Sequence, residues 1–375
     1  MVEKIKVGVI GVGQIGKHHL AGYAEMPDVD VVAVADVNGA EAQRVAEQHG
    51  IPHCFTDFRE LLALDEIQAV DVCLHNNLHA PVSIAALEAS KDVYCEKPMA
   101  GTYADAVAMH DAAQRTGRRL GIQQALLFRP EAKAAKRLIN EGHLGKLYYA
   151  RAVGFRRRGR PFVDGYGSPN FVQVSSAGGG ALYDSGVYDI SLILYLLGNP
   201  EVLTITGTTH QEIPMDEQRR EISCYDVEEL GLGFVRLAGG ISFAIEESWA
   251  LHYEDIESSR VHGSLGGIKL GALIGNRADP MTFYTTVADM ELSGTFDLKR
   301  AEFRFNASDP NYEGYDSPQR HWIAGLQGRV PYIDSASIGL ATMLISEGIY
   351  LSNKLGREVT PEEVRANSQS TAITV

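Results

Sequence analysis

Two short stretches hold residues able to move a proton or steady a developing charge. The first is Cys95-Glu96-Lys97-Pro98-Met99, which closes the apolar run Asp92-Val93-Tyr94-Cys95. A lysine where a buried strand stops is costly to bury, and its pKa shifts readily when it is. Pro98 fixes the backbone just beyond it. An ammonium held this way can stabilise charge on a substrate oxygen. Taken alone, the triplet also reads as an exposed loop lysine before a helix-starting proline. The second stretch runs from Ser176 through Gly178-Gly179-Gly180 to Asp184, Tyr188 and Asp189. Asp184 and Tyr188 are four apart, so on a helix they share a face, and the glycines should let that face approach a ligand closely. A carboxylate and a phenol facing a lysine form a proton-transfer set. The competing reading is an N-cap aspartate and a half-buried tyrosine.

A third stretch, Gly11-Val12-Gly13-Gln14-Ile15-Gly16, follows the strand-like run Lys4 to Ile10 and opens a helix. The first glycine permits a tight turn, the second lets a pyrophosphate reach the backbone, and the third lets helix pack on strand. Asp36 ends the next strand, Val29 to Ala35, about 20 residues after the last glycine, where an acid meets the adenosine ribose hydroxyls. A turn acid is its other reading. Val37-Asn38 follow with no arginine to take a 2′-phosphate, so the expected cofactor is NAD rather than NADP. Asn76 and Lys97 also follow strand ends. His79, just past the Asn76 turn, either approaches the cofactor or starts a helix.

These residues need a frame. Strands and helices alternate up to about residue 125: helices at Gln14–Glu25, Ala40–His49, Phe58–Leu64, Ala80–Ala89 and Tyr103–Thr116, with strands at Ala69–Leu74, Asp92–Cys95 and Leu120–Ala125. Such alternation means a parallel sheet covered on both faces, with ligands bound beyond the strands' carboxyl ends. Beyond a helix at Pro130–Glu141 the texture changes. Strand-like runs at Lys146–Phe155, Val202–Thr209, Glu228–Leu237, Gly240–Trp249, Ser258–Gly263, Gly267–Leu273, Met281–Val287 and Met290–Leu298 have few helices among them. Gly239-Gly240 and Gly266-Gly267 fit hairpin turns, and helices at Pro318–Gln327 and Ser335–Leu355 finish the fold. The expected class is α/β: an N-terminal Rossmann dinucleotide-binding domain over 1–125, an α+β domain with a large open, mostly antiparallel sheet over 126–360, and a loosely held polar tail over 361–375.

The totals set bounds. The chain of 375 residues, 45% hydrophobic and 22% charged, is that of an ordinary globular protein with room for two cores. A net charge of −14 argues against nucleic-acid binding. No apolar run approaches a bilayer span, and Met1-Val2-Glu3 leads straight into a strand, so no signal peptide or membrane partner is expected. Cys54, Cys73, Cys95 and Cys224 lack paired metal-ligand spacing and read as reduced thiols of a cytoplasmic protein; the histidines form no metal set either. The basic run Arg156-Arg157-Arg158-Gly159-Arg160 either lines a substrate cleft, with Arg157 toward an anionic sugar, or is a solvated loop.

The order of Gly11-x-Gly13-x-x-Gly16, Asn76-Asn77-Leu78-His79-Ala80-Pro81, Glu96-Lys97-Pro98 and Gly178-Gly179-Gly180-Ala-Leu-Tyr-Asp184-x-Gly186-Val-Tyr188 resembles the Gfo/Idh/MocA oxidoreductases. The resemblance covers nearly the whole chain. It implies hydride exchange between NAD(P) and a secondary hydroxyl or ketone of a sugar, glycoside or polyol. It also implies self-association, as a homodimer or homotetramer, through the open sheet. Lys97 matches the family's active-site lysine, whose bond to proline is often cis, and Asp184 matches the substrate-facing aspartate. Gly11 to Gly16, Asp36, Asn76, His79, Glu96 and Lys97 fall to the cofactor; Lys97, Asp184, Tyr188 and Arg157 fall to the substrate. In this scheme Lys97 lowers the Tyr188 pKa from ~10 and Tyr188 takes the hydroxyl proton; the alternative makes Lys97 the base. Many members carry histidine where Tyr188 stands, and tyrosine there favours a sugar ring over inositol. The usual Thr-Pro before Asn76 is replaced by Leu74-His75, with His75 either near the nicotinamide or filling space. Two relatives' roles also stay open: redox-neutral glycoside cleavage with bound NAD, and non-catalytic sugar sensing, although a sensor would be marked by loss of the lysine.

Overall fold

The computed structural model describes residues 4–253, 258–271 and 280–375. The expectations for Met1–Glu3 and for the end of the strand drawn to Leu273 lie outside the described residues. The chain divides into two compact units, and no single cut separates them. One comprises Met1–Gln123, Pro310–Ala336 and Ser370–Val375; the other comprises Gln124–Asp309 and Ser337–Gln369.

The first unit begins β1 (Ile5–Ile10), α1 (Gln14–Ala24), β2 (Val29–Ala35), α2 (Gly39–His49), β3 (His53–Phe55) and α3 (Phe58–Leu62). It continues β4 (Ala69–Val72), α4 (Asn76–Glu88), β5 (Asp92–Cys95), α5 (Tyr103–Thr116) and β6 (Leu120–Ile122). The sheet order is β3-β2-β1-β4-β5-β6, all parallel. This is a doubly wound Rossmann order, whose switch point lies between β1 and β4. Val9, Ala33, Val34, Ala69, Val72, Val93 and Cys95 are fully buried, as strands covered on both faces require. Helix ends follow local chemistry. Asn38 and Thr102 cap α2 and α5 through their side chains, and Gly50 and Gly117 close them at φ +67°.

The second unit runs α6 (Pro130–Asn140), β7 (Leu147–Phe155), α7 (Val174–Ala177), a π-helical turn at Leu182–Gly186, α8 (Val187–Leu197), β8 (Val202–His210) and α9 (Glu217–Ser223). Strands β9 (Leu230–Leu237), β10 (Ile241–Ser248), β11 (Arg260–Gly263), β12 (Gly266–Lys269), β13 (Thr282–Val287) and β14 (Met290–Thr295) follow, then α10 (Leu298–Ser308). The chain ends with α11 (Pro318–Leu326), which belongs to the first unit, α12 (Ser335–Leu355) and α13 (Pro361–Asn367). The eight strands lie in the order β14-β13-β12-β11-β7-β10-β9-β8, antiparallel except for β7 with β10. On one face Ala150, Ala152, Ile205, Val235, Phe243, Ile245, Val261 and Ile268 are buried. Gly207 and Gly233 let Ile349 of α12 approach that face: a Cβ on either would lie 2.8 or 2.6 Å from it. The other face carries the Arg151–Glu246 ion pair (2.6 Å) and the stacked rings of Tyr149 and His262, with Phe234 and Tyr284 exposed.

Several expectations need correction. Helix α4 starts at Asn76 rather than Ala80, so Pro81 sits inside it. Proline has no N–H to give the Asn77 carbonyl four residues back, and the Ile373 N–H takes that carbonyl instead at 3.2 Å. The tail is not loose. Thr360 and Glu363 form a reciprocal capping box on α13, and the Asp105 carboxylate accepts from the Ser370 hydroxyl and the Thr371 N–H. The run expected as strand to Leu298 ends at Thr295, because Asp297 caps α10 through its side chain. The second hairpin turns at Ser264-Leu265; Gly266 and Gly267 already belong to β12, where a Cβ on Gly266 would strike the Phe283 ring at 2.9 Å. No helix among the described residues is long and apolar enough to cross a membrane.

Candidate active site

At the end of β1, Gly11 has φ +92°, and a Cβ there would lie 2.3 Å from the Cys73 carbonyl oxygen. A Cβ on Gly16 would lie 2.0 Å from the Gly11 carbonyl oxygen, whereas one on Gly13 would meet nothing within 4 Å. The outer glycines therefore serve internal contacts and the middle one leaves open space, the pattern a pyrophosphate needs. Asp36 leaves β2 with Oδ2 accepting from the Val12 N–H (2.9 Å) and Oδ1 from the Asn38 N–H (2.9 Å). The acid and the glycine turn are thus one object. Asn76 is the first residue of α4, whose N-cap, the exposed His75, makes no side-chain capping bond.

Lys97 is half-buried, and its bond to Pro98 is cis. Glu96 and His79, both assigned to the cofactor from the sequence, turn inward. His79 is fully buried, with Nδ1 2.8 Å from the Pro98 carbonyl and Nε2 3.0 Å from that of Leu74. Burial lowers its pKa, opposed by those carbonyls; a neutral ring donates only one hydrogen bond, to one or other of the two. Glu96 Oε2 accepts from the Lys97 N–H (3.0 Å) and Oε1 faces His19 Nε2 (2.9 Å). His19 Nδ1 lies 2.8 Å from Asp71 Oδ2, the Tyr23 hydroxyl donates to the same oxygen (2.8 Å), and the Cys73 thiol donates to Asp71 Oδ1 (3.3 Å). The donor atoms of His19, Asp71 and Cys73 lie within 4.8 Å of one another, and each is engaged in these hydrogen bonds.

In the second unit the glycine run does not open a ligand face, which corrects the sequence reading. A Cβ on Gly179 would strike the Tyr350 hydroxyl at 2.2 Å, and one on Gly180 the Glu228 carbonyl at 1.9 Å. The run is small because it packs inward. Glu228 locks it, accepting from the N–H groups of Gly180 (2.8 Å) and Leu182 (2.9 Å), and burial raises the Glu228 pKa despite those bonds. Asp184 lies in the π-helical turn and Tyr188 in the first turn of α8, so the two do not sit on one regular α-helix. From Ala181 to Leu194 every residue is buried except Asp184 and Tyr188. Single π-helical turns recur at functional sites, and here the turn belongs to the segment with that pair. Trp249 Nε1 donates to Asp184 Oδ2 (3.1 Å), and Arg156 Nη1 lies 3.7 Å from the same oxygen.

The basic run divides. Arg156 faces Asp184, Arg157 is exposed, and Arg160 is fully buried, paired with Asp164 (2.9 Å) and Glu229 (2.9 Å). The arginine beside the Asp184 carboxylate is thus Arg156. Two further acids lie behind the segment. Asp189 accepts from the Ser259 hydroxyl (2.8 Å), and burial pushes its carboxyl up to about 7. Glu247 is buried, packed against Gly154 and Gly186, and neither oxygen has a hydrogen-bond partner among the described residues. Burial, and then the charge of Asp189, hold it well above the usual carboxylate range, opposed by Arg156. Sequence reasoning missed His19, Asp71, Trp249 and Glu247. Two signals were present: an acid inside the apolar run Ala69–Val72 needs a buried partner, and of the consecutive Glu246 and Glu247 in one strand, one must point inward.

Fold and geometry together define a dinucleotide-binding unit joined to an α+β unit with an accessible acid–phenol pair. Comparison with known proteins gives the family. Residues 5–124 match the oxidoreductase family with an NAD-binding Rossmann fold, and residues 132–269 match the GFO/IDH/MocA C-terminal domain. The chain is 30% identical over 276 residues to D-glucoside 3-dehydrogenase of Escherichia coli (72% of this chain, 77% of that one). It is 29% identical over 295 residues to levoglucosan dehydrogenase of Pseudarthrobacter phenanthrenivorans (71% and 73%). Among solved structures, levoglucosan dehydrogenase in complex with NADH superposes with a TM-score of 0.74 at 23% identity, covering 96% of this chain and 99% of that one. The chain belongs to the Gfo/Idh/MocA family and is an oxidoreductase with an NAD-binding Rossmann domain.

Proposed function

We propose that this protein is an NAD-dependent dehydrogenase or reductase acting at a secondary hydroxyl or ketone of a sugar, glycoside or polyol. The observation that carries the reading is the lone accessibility of Asp184 and Tyr188 in an otherwise buried segment, beside Arg156 and Trp249. Relatives named as glucoside, levoglucosan and inositol dehydrogenases support the substrate class. NAD, when bound, supplies the hydride acceptor. The backbone from Gly11 to Gly16 would hold its pyrophosphate and Asp36 its ribose hydroxyls, with Asn76 on the same side of the sheet. Lys97 hydrogen-bonds the substrate oxygen on which charge develops. Tyr188 takes the hydroxyl proton during oxidation and returns it during reduction. Asp184 accepts from a neighbouring hydroxyl and orients the ring; Trp249 and Arg156 fix its carboxylate.

The test is NADH production from methyl β-D-glucoside, levoglucosan and myo-inositol, with NADP run beside NAD. Turnover of a sugar with NAD and poor use of NADP is expected. Glycoside cleavage without net NADH, or equal use of NADP, contradicts the reading. We also assign the outer sheet face, with Phe234 and Tyr284 exposed, to self-association of a cytoplasmic enzyme; light scattering should report a dimer or tetramer, and Phe234→Glu should lower that mass. A monomeric parent protein would refute the assignment.

A further inference from the structure

We infer that His19 is a positioning residue for Lys97, holding the Glu96-Lys97 turn through a doubly hydrogen-bonded ring that links it to the helix of the glycine loop. The inference rests on the catalytic reading of Lys97. Its basis is a chain of contacts within the first unit. The Lys97 N–H donates to Glu96 Oε2 at 3.0 Å, Glu96 Oε1 lies 2.9 Å from His19 Nε2, and His19 Nδ1 lies 2.8 Å from Asp71 Oδ2. His19 and Asp71 are fully buried and Glu96 nearly so. These atoms are shielded from bulk solvent, so the positions of Glu96 and of the Lys97 amide follow the ring.

Both ring nitrogens face carboxylate oxygens; with both carboxylates ionised, both nitrogens donate and the ring is an imidazolium. Burial opposes that charge, but Asp71 offsets it most, and the His19 pKa is raised well above 6.5. Its other neighbours do not remove the proton. The Tyr23 hydroxyl donates to Asp71, the Tyr94 ring centroid is 6.0 Å away, and the His18 ring 6.3 Å. Charge-assisted hydrogen bonds of this kind are short and directional, and a buried ion cluster is strongly destabilised when one partner is removed. The network therefore fixes one geometry of the turn. His19 is on α1, whose N-terminus is the glycine loop, so the cofactor loop and the catalytic lysine share one rigid strut.

Two variants test it. Glu96→Gln keeps the shape and an acceptor for the Lys97 N–H while weakening the hold on His19; His19→Asn removes one of the two ring bonds. Each is compared with the parent enzyme for thermal melting, NADH binding by fluorescence, and kcat and KM with methyl β-D-glucoside across pH. The ring itself is read by nitrogen-15 histidine NMR on the NADH-bound enzyme. The expected result is a His19 signal with both nitrogens protonated at pH 8 in the parent and lost or shifted in Glu96→Gln. With it should come a fall in kcat of about 10²-fold, the scale of a misplaced catalytic group, with KM and NADH affinity nearly unchanged and a displaced pH profile. If His19→Asn does not fold, Glu96→Gln decides. A neutral His19 ring in the parent, an unchanged kcat and pH profile in folded variants, or kcat falling only in step with NADH affinity would overturn the inference. Lys97→Ala separates the two levels: if it keeps full turnover, the catalytic reading fails; if it loses turnover while the His19 and Glu96 variants do not, only this inference fails.

Discussion

The Lys97 turn and the Asp184–Tyr188 segment are each backed by two buried acids, and the two units dispose of that charge in opposite ways. Behind Lys97, Asp71 and Glu96 flank the His19 ring, and with Tyr23, Cys73 and the Lys97 N–H the carboxylates are satisfied. Behind Asp184 and Tyr188, Asp189 has the Ser259 hydroxyl and Glu247 has no hydrogen-bond partner among the described residues. An unpaired buried carboxylate is too costly to keep charged and takes up a proton instead. The first pair of acids is held by paired charge; in the second, burial pushes the carboxyl pKa values up, that of Asp189 to about 7. The difference shows why a buried acid cannot be given one meaning: what surrounds it decides whether it is a strut or a proton store.

The largest expected effect falls on the accessible pair. Under the proposed mechanism Tyr188→Phe removes the hydroxyl that carries the proton and keeps the ring, and kcat should fall by roughly 10²–10⁴-fold, the usual weight of general acid–base catalysis. Near-normal turnover with an unchanged pH profile would move the proton role to Lys97 and weaken the contrast between the halves.

Asp189→Asn tests the protonation side. The folded-state pKa of Asp189, about 7, lies above its ordinary value of 3.8. The neutral form therefore contributes stability that is fully present below 3.8 and is lost as pH rises to about 7. Asparagine keeps an acceptor for Ser259 and has no such loss. The variant should gain on the parent as pH rises from 4 to 8, by up to ~4 kcal/mol, measured as the difference between their denaturation free energies. A constant difference across that range would show that Asp189 is not held neutral.

The smallest effect concerns orientation alone. Trp249→Phe deletes the indole N–H donated to Asp184, a hydrogen bond worth ~1 kcal/mol. KM should rise by about 3- to 10-fold with kcat kept, the mark of binding shared by ground and transition states. A fall in kcat instead would place Asp184 in the chemistry.

Much of this was legible in the sequence because it rests on short-range rules. The glycine spacing, the acid after β2, and the glycine stops of α2 and α5 all act within one turn or one strand. So does the strand end at Cys95. What the sequence hid depends on distance. Positions 19, 71 and 96 meet only because β1, β4 and β5 lie side by side, and no spacing rule joins them. The glycine run misled because Gly179 and Gly180 make room for Tyr350 and Glu228, residues far along the chain, and a glycine looks the same whether it admits a ligand or a neighbour. Pro81 disguised the start of α4 because the donor that replaces its missing N–H comes from Ile373, almost at the C-terminus.

The most direct test of the role proposed for Lys97 is Lys97→Ala followed through a single turnover, with NADH binding measured on the same preparation. If Lys97 holds the reacting oxygen as proposed, its loss should slow NADH formation by about 10²–10³-fold, the scale set by removing one such donor, while NADH still binds within a few-fold of the parent. Unchanged single-turnover rates, or a loss confined to NADH binding, would contradict it.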